Sequence, residues 1–237
     1  IKDRNPIYWE NQYQKLSMDL EAIDIKPPSQ KILLTEIQKL FPAKGIFISK
    51  IIVTRGKSQT GYDFNKGIKP TRILLKIDFN INKYEFFKKG VQLTASNIRA
   101  TKSANSGIKD LNRLENVLAR KGISRNFFDA IMVDSNENIC DCARSSLFIR
   151  YGNTLYTASN RSFGIHGVTK KIICENVEKL KLTVDYSPLA LNQLEKADEV
   201  IVSNSIVGAL QVVGFKNTKW EKGTLANSIT NLLNESA

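Results

Sequence analysis

Ser106-Gly-Ile-Lys-Asp-Leu-Asn-Arg-Leu-Glu-Asn-Val-Leu-Ala-Arg120 is the stretch on which the reading of this chain turns. It passes from small, flexible residues into a helical pattern. Leu111, Leu114, Val117 and Leu118 recur at helical spacing and predict one apolar stripe. Arg113 and Glu115 sit off that stripe, and Ala119, one turn beyond Glu115, offers it no opposite charge. Lys109 stands just before the helical part. On the residues alone two readings stay open. One is a solvated lysine next to Asp110, an acid that suits a helix start. The other is an amine inside a pocket, where it bonds covalently to a carbonyl compound.

The run Gly107 to Arg120 resembles the lysine segment of the 4-amino-4-deoxychorismate lyases. These belong to the fold-type IV pyridoxal-phosphate enzymes, together with the branched-chain and D-amino-acid aminotransferases. The resemblance implies that Lys109 holds pyridoxal 5'-phosphate and is the catalytic residue. It departs at Asp110, where the lyases usually carry histidine. It also implies an α+β fold with a small α/β domain and a larger, strand-rich pseudo-barrel domain. The expected division is residues 1–79, a linker at 80–89, and a cofactor-binding domain at 90–237. Further first-domain strands and a substrate-facing threonine are expected to precede Ile1.

Pyridoxal phosphate asks a protein for a lysine, a carboxylate against the pyridine nitrogen, and donors for the phosphate. In Glu137-Asn-Ile-Cys-Asp-Cys-Ala-Arg-Ser-Ser-Leu-Phe148, Asp141 stands where the family has a glutamate that contacts the ring nitrogen, and Ser146 where it has asparagine. Read alone, Asp141 is a turn-edge aspartate. In Ser162-Phe-Gly-Ile-His-Gly-Val-Thr-Lys170, glycines before a helix let backbone N–H groups face an anion, and Thr169 adds a hydroxyl. Gly164, Gly167 and Val168 keep the family's phosphate-gripping pattern. Lys170 stands where an arginine often follows, and His166 occupies a variable position. The segment from Ala197 to Val213 resembles another family segment, which implies phosphate or substrate contacts from Asn204 or Ser205.

In the first half, Gln12 and Lys15-Leu16 stand where the family has His, two residues, then Arg-Leu, so Lys15 is the candidate phosphate contact there. Lysine keeps the charge of arginine but loses its fork. Arg55, Gly56, Gly61 and Tyr62 match the family's Arg-Gly…Arg-Gly-Tyr segment, whose second arginine is Thr60 here. Arg55 and Tyr62 are the candidate substrate-binding residues. Arg55 could hold a substrate carboxylate bidentately or make a structural ion pair. Gly56-Lys-Ser58 is not a phosphate-binding P-loop, because no helix pattern follows it.

Length and composition bound the alternatives. The chain has 237 residues, 42% hydrophobic and 24% charged, enough for one large or two modest cores. No apolar run has membrane length, and the start carries no signal-peptide pattern, so a cytoplasmic protein is expected. The three cysteines, Cys140, Cys142 and Cys174, do not suit a disulfide framework or paired zinc ligands, and His166 is the one histidine. No metal is expected, nor a triad that needs histidine. The net charge of +12 is spread along the chain without a dense basic run, which favours a small anionic substrate over nucleic acid.

Periodicity predicts helices over 7–24 and 32–40, a largely buried strand over 45–54, and a hairpin-like return over 71–79. In the second half it predicts strands over 90–99, 129–134, 139–148 and 153–156. A helix then follows Lys170 through Leu180. A strand at Val200 to Val202 ends in a polar cap of Ser203, Asn204 and Ser205, and a closing helix spans 223–235. The resemblance implies a homodimer that converts 4-amino-4-deoxychorismate to 4-aminobenzoate and pyruvate in folate biosynthesis. A branched-chain or D-amino-acid aminotransferase uses the same lysine and cofactor. A non-catalytic basic binding protein of the same fold is the third reading.

Overall fold

The computed structural model describes residues 1–58, 61–65, 67–79 and 85–236. Thr60 and residues 80–84 of the expected linker lie outside them. Contacts divide the chain into two units, Ile1–Lys83 and Tyr84–Ala237.

In the first unit, α1 (Trp9–Glu21) and α2 (Gln30–Leu40) bury Leu20, Leu33 and Ile37 beside Ile25 and Phe41. Ser29 caps α2 by accepting from the Ile32 N–H at 3.4 Å. Strands β1 (Phe47–Thr54) and β2 (Thr71–Asp78) form an antiparallel ribbon, with Phe47 opposite Asp78 and Thr54 opposite Thr71. The expectation of a buried β1 is corrected: none of its residues is buried. A two-stranded ribbon has little to cover its faces. Within this unit α2 touches β2, where Arg72 Nη2 donates to Glu36 Oε1 at 2.6 Å.

The second unit opens with a single turn, α3 (Phe86–Lys89), whose two phenylalanines pack on the core. Among the described residues a nine-stranded sheet follows: β3 (Val91–Ala95), β4 (Asp129–Val133), β5 (Ile139–Cys142), β6 (Ser146–Tyr151), β7 (Thr154–Tyr156), β8 (Thr183–Asp185), β9 (Glu199–Asn204), β10 (Gly208–Phe215) and β11 (Thr218–Lys219). The spatial order is β5-β4-β3-β10-β9-β6-β7-β8, with β11 on β10. Strands β5 and β6 stand six places apart in that order, counting both. Yet only Ala143, Arg144 and Ser145 separate them in sequence, so the sheet has to curl into a half-barrel. The continuous strand expected over 139–148 is therefore two strands, broken where Cys142 N–H bonds back to the Ser145 carbonyl at 2.9 Å.

Alternation gives the core. Leu147, Ile149, Val200, Val202, Leu210 and Val212 join one cluster, while the intervening Phe148 and Ile201 are buried as well. Strands covered on both faces read as apolar runs. Helices α5 (Val168–Glu175) and α6 (Leu225–Glu235) pack on one another and on β9, and α6 also on β10. The helix expected through Leu180 breaks at Asn176, beyond which Val177–Leu180 is a 3-10 turn. Ser203 and Asn204 belong to the end of β9, not to a separate cap.

Helix α4 (Leu114–Lys121) corrects the expected stripe. It begins at Leu114, and Leu111, Leu114 and Val117 are 67%, 65% and 61% exposed. The polar side faces the protein instead. Asn116 Nδ2 donates to the Ala143 carbonyl at 2.7 Å, Arg120 Nη1 to the Phe128 carbonyl at 2.8 Å, and Glu115 accepts from the Thr101 N–H at 3.2 Å. Hydrogen bonds, with Ala119 as the one buried residue, hold the helix this way round. Among the described residues no helix is long and apolar enough to cross a membrane.

Candidate functional site

Asp141 is placed by a fault in the sheet. Between β4 and β5 the register shifts, so that Met132 faces Asp141 while Val133 faces Ile139. Such a bulge turns a side chain out of the regular alternation. Asp141 also has φ 152°, a conformation that L-residues rarely adopt and that surrounding structure must enforce. Asp141 is buried, 7% exposed. Oδ1 accepts from the Leu147 N–H at 2.9 Å, across the β5–β6 turn, and Oδ2 from Asn160 Nδ2 at 2.9 Å. Burial pushes the Asp141 carboxyl above its ordinary value, opposed chiefly by the charge of Lys170, whose Nζ is 3.7 Å from Oδ2.

The two-glycine turn lies alongside. Gly167 caps α5 in extended conformation, and Val168 and Thr169 are buried in the first turn. First-turn N–H groups have no partner inside their own helix and so suit an anion. Thr169 Oγ1 lies 3.2 Å from Ser205 Oγ, which brings the hydroxyl after β9 to the same helix end. A hollow of about 690 Å³ opens beside this turn, lined by His166, Gly167, Lys170, Cys174 and Tyr186 among others.

The lysine segment is stitched to that turn by four hydrogen bonds. Ser103 N–H reaches the Ser162 carbonyl at 3.2 Å, and Ser106 Oγ the Asn160 carbonyl at 2.9 Å. Gly107 N–H reaches the Gly164 carbonyl at 3.0 Å, and His166 N–H returns to the Gly107 carbonyl at 2.9 Å. Gly107 is required here: its φ is +84°, and a Cβ would come within 2.0 Å of the His166 ring. Three segments far apart in sequence thus converge within the second unit. A profile described as Amino-transferase class IV matches residues 1–215.

The chain belongs to the aminotransferase class IV family. Aminodeoxychorismate lyase of Vibrio harveyi is 23% identical over 210 residues, 88% of this chain and 78% of that protein. A D-alanine aminotransferase of Listeria monocytogenes is 28% identical over 127 residues, 53% of this chain and only 43% of that protein. Among solved structures, 4-amino-4-deoxychorismate lyase from Pseudomonas aeruginosa superposes with a TM-score of 0.89 at 27% identity, covering 99% of this chain and 87% of that one.

The cofactor of this class IV family is pyridoxal 5'-phosphate, and the residues present fit it. The buried α5 start with its Thr169–Ser205 hydroxyl pair suits a phosphate. An ionised carboxylate offers about four acceptor sites. Asp141 Oδ1 accepts one hydrogen bond, so it keeps capacity for a ring N–H.

Of the other expected residues, Lys109 is exposed, two positions past the Gly107 stitch. Asn204 Oδ1 accepts from the Ile206 and Val207 N–H groups at 2.9 and 3.1 Å, and its Nδ2 donates to the Arg144 carbonyl and Ser145 Oγ, both at 3.4 Å. In the first unit Lys15 pairs with Asp19 in its own helix. Arg55 pairs with no acidic side chain among the described residues. Its guanidinium donates to the Ile23 and Asp24 carbonyls and lies 3.6 Å over the Phe64 ring. Tyr62 is fully exposed. Sequence reasoning missed Asn160, which is buried, sits at φ 55° and links three site segments. The available signal was an asparagine four residues before a glycine, since asparagine tolerates the left-handed region. Among the described residues no group of three or more His, Cys, Asp or Glu could hold a metal ion.

Proposed function

We propose that this chain is a pyridoxal-phosphate-dependent lyase that converts 4-amino-4-deoxychorismate to 4-aminobenzoate and pyruvate, a step of folate biosynthesis. The observation that carries the reading is the stitching of Ser106 and Gly107 to the Asn160–Gly164 turn, which sets the Lys109 segment beside the anion cradle. The likeness to the Pseudomonas lyase over 99% of the chain supports it.

In this reading Lys109 holds the cofactor, and Val168, Thr169 and Ser205 with the Gly167 turn bind its phosphate. Asp141 faces its ring nitrogen. When bound, the cofactor supplies a carbonyl carbon for amines and a ring that stores an electron pair. The free amine of Lys109 would take the proton from C4 of the substrate ring. It then returns a proton to the departing enolpyruvyl group, which leaves as pyruvate while the ring becomes aromatic. The bulge and the Leu147 N–H orient Asp141. The buried thiols of Cys140, pushed up to about 12 by desolvation, and Cys142, also pushed well above the ordinary thiol value by burial, remain protonated and take no part.

The protein is read as a cytoplasmic homodimer, and the outward leucines of α4 support self-association. Light scattering on wild type and Leu114→Asp checks the assembly. The function is tested by incubating the yellow holoprotein with 4-amino-4-deoxychorismate. Equal amounts of 4-aminobenzoate and pyruvate are expected, with borohydride bleaching the yellow and fixing the cofactor onto Lys109. Amino transfer between D-alanine or a branched-chain amino acid and 2-oxoglutarate, without pyruvate from the single substrate, would replace this reading with an aminotransferase.

A further inference from the structure

Lys170 is 6% exposed in the first turn of α5. Its Nζ donates to Asn160 Oδ1 at 2.6 Å and to the Ala158 carbonyl at 2.5 Å, and lies 3.7 Å from Asp141 Oδ2. We propose that Lys170, acting directly and through Asn160, is a positioning residue that keeps the Asp141 carboxylate charged and aimed for a cofactor ring nitrogen. This rests on the pyridoxal-phosphate reading above.

The chemistry of the donors gives the argument. An ammonium can only donate, so its bond to Asn160 Oδ1 fixes the amide and turns Nδ2 toward Asp141. Asn160 Nδ2 also donates to the Phe163 carbonyl at 3.2 Å, which locks it to the two-glycine turn. Gly164 leaves the room: a Cβ there would meet Asn160 Nδ2 at 2.4 Å. Burial by itself drives a carboxyl toward its neutral form. A neutral Asp141 could not hold a proton on a ring nitrogen. The Cys140 and Cys142 thiols of β5 and Cys174 of α5 feel the Asp141 charge, and burial holds all three above their usual range. They are neutral near pH 7, so the cation beside Asp141 is Lys170.

The test reads the apoprotein first. Carbon-13 NMR of labelled aspartate, with the Asp141 signal assigned by its loss in Asp141→Asn, gives the carboxyl titration midpoint. In Lys170→Met the midpoint is expected to rise by at least about one unit, tenfold in proton affinity. In Lys170→Arg, which restores the charge, it is expected to return close to wild type. With nitrogen-15-labelled pyridoxal phosphate, the ring nitrogen is expected to be protonated near pH 7 in wild type and Lys170→Arg and largely unprotonated in Lys170→Met. A purely structural lysine would lower stability and leave both signals in place. An unmoved Asp141 midpoint in Lys170→Met therefore overturns the proposal. If that variant does not fold, Asn160→Ala carries the same measurement, and an unmoved midpoint there has the same force. Should no variant, wild type included, bind the cofactor, the functional reading falls, while the apoprotein midpoints still decide the lysine–aspartate link.

Discussion

Helices α4 and α5 have eight residues each, and each follows a segment stitched into the candidate site. They bury opposite things. Helix α5 takes Lys170 inside with Val168, Ile172 and Ile173, whereas α4 leaves Leu114, Val117 and Leu118 outside and turns Asn116 and Arg120 inward. A periodic stripe describes a helix and not its surroundings. A charged residue goes inside when donors and acceptors wait for it, and apolar residues stay outside when polar anchors hold the other face.

The largest effect is expected at the stitched lysine. Lys109→Ala is expected to lower kcat/KM by about 10³-fold or more, since it removes both the covalent anchor and the proton carrier. Methylamine rescue of 4-aminobenzoate formation checks that the amine is what was lost. Next come the two apolar faces. Ile173→Ala in α5 is expected to cost about 2–5 kcal/mol in urea unfolding, because Ile173 is fully buried. Leu114→Ala in α4 is expected to stay within about 0.5 kcal/mol at low protein concentration, where no second copy covers it. A large cost for Leu114 would show a covered stripe.

Smaller effects follow at the helix start. Gly164→Ala places a methyl against Asn160 at φ +75° and is expected to cost about 1–3 kcal/mol. Thr169→Ala or Ser205→Ala removes one hydroxyl of a pair and is expected to weaken pyridoxal phosphate about three- to tenfold by equilibrium dialysis. The smallest effect is one of pH. Burial raises the Asp129 carboxyl above its usual 3.8, so the native chain holds that proton to higher pH than the unfolded chain does. Stability then declines as pH rises from that value through the raised one. Asp129→Asn should flatten the slope measured by urea unfolding as pH rises from 3.8.

How much of this was legible in the sequence follows from what each pattern can encode. The closing helix was readable because Leu225, Ile229 and Leu232 are buried as their spacing says. Val91 and Leu93 alternate into the core for the same reason. The break inside 139–148 was hidden because Ala143-Arg-Ser145 carries no glycine or proline to mark it. The register shift that aims Asp141 belongs to the pairing of two strands, which no local pattern records. The burial of Lys170 depends on Asn160 and Ala158, about a dozen residues back in a turn of unremarkable composition.

Strand β10 has one further consequence. On one side it meets β3 in parallel, and on the other it meets β9. Strands β3 to β5 and β6 to β9 can each assemble from neighbouring sequence, but β10 is the last of the long strands to be synthesised and is what joins the two groups edge to edge. A ribosome therefore releases two half-sheets with open margins before the keystone arrives. The Asp141–Leu147 bond, across the short β5–β6 turn, is a local link between the two groups.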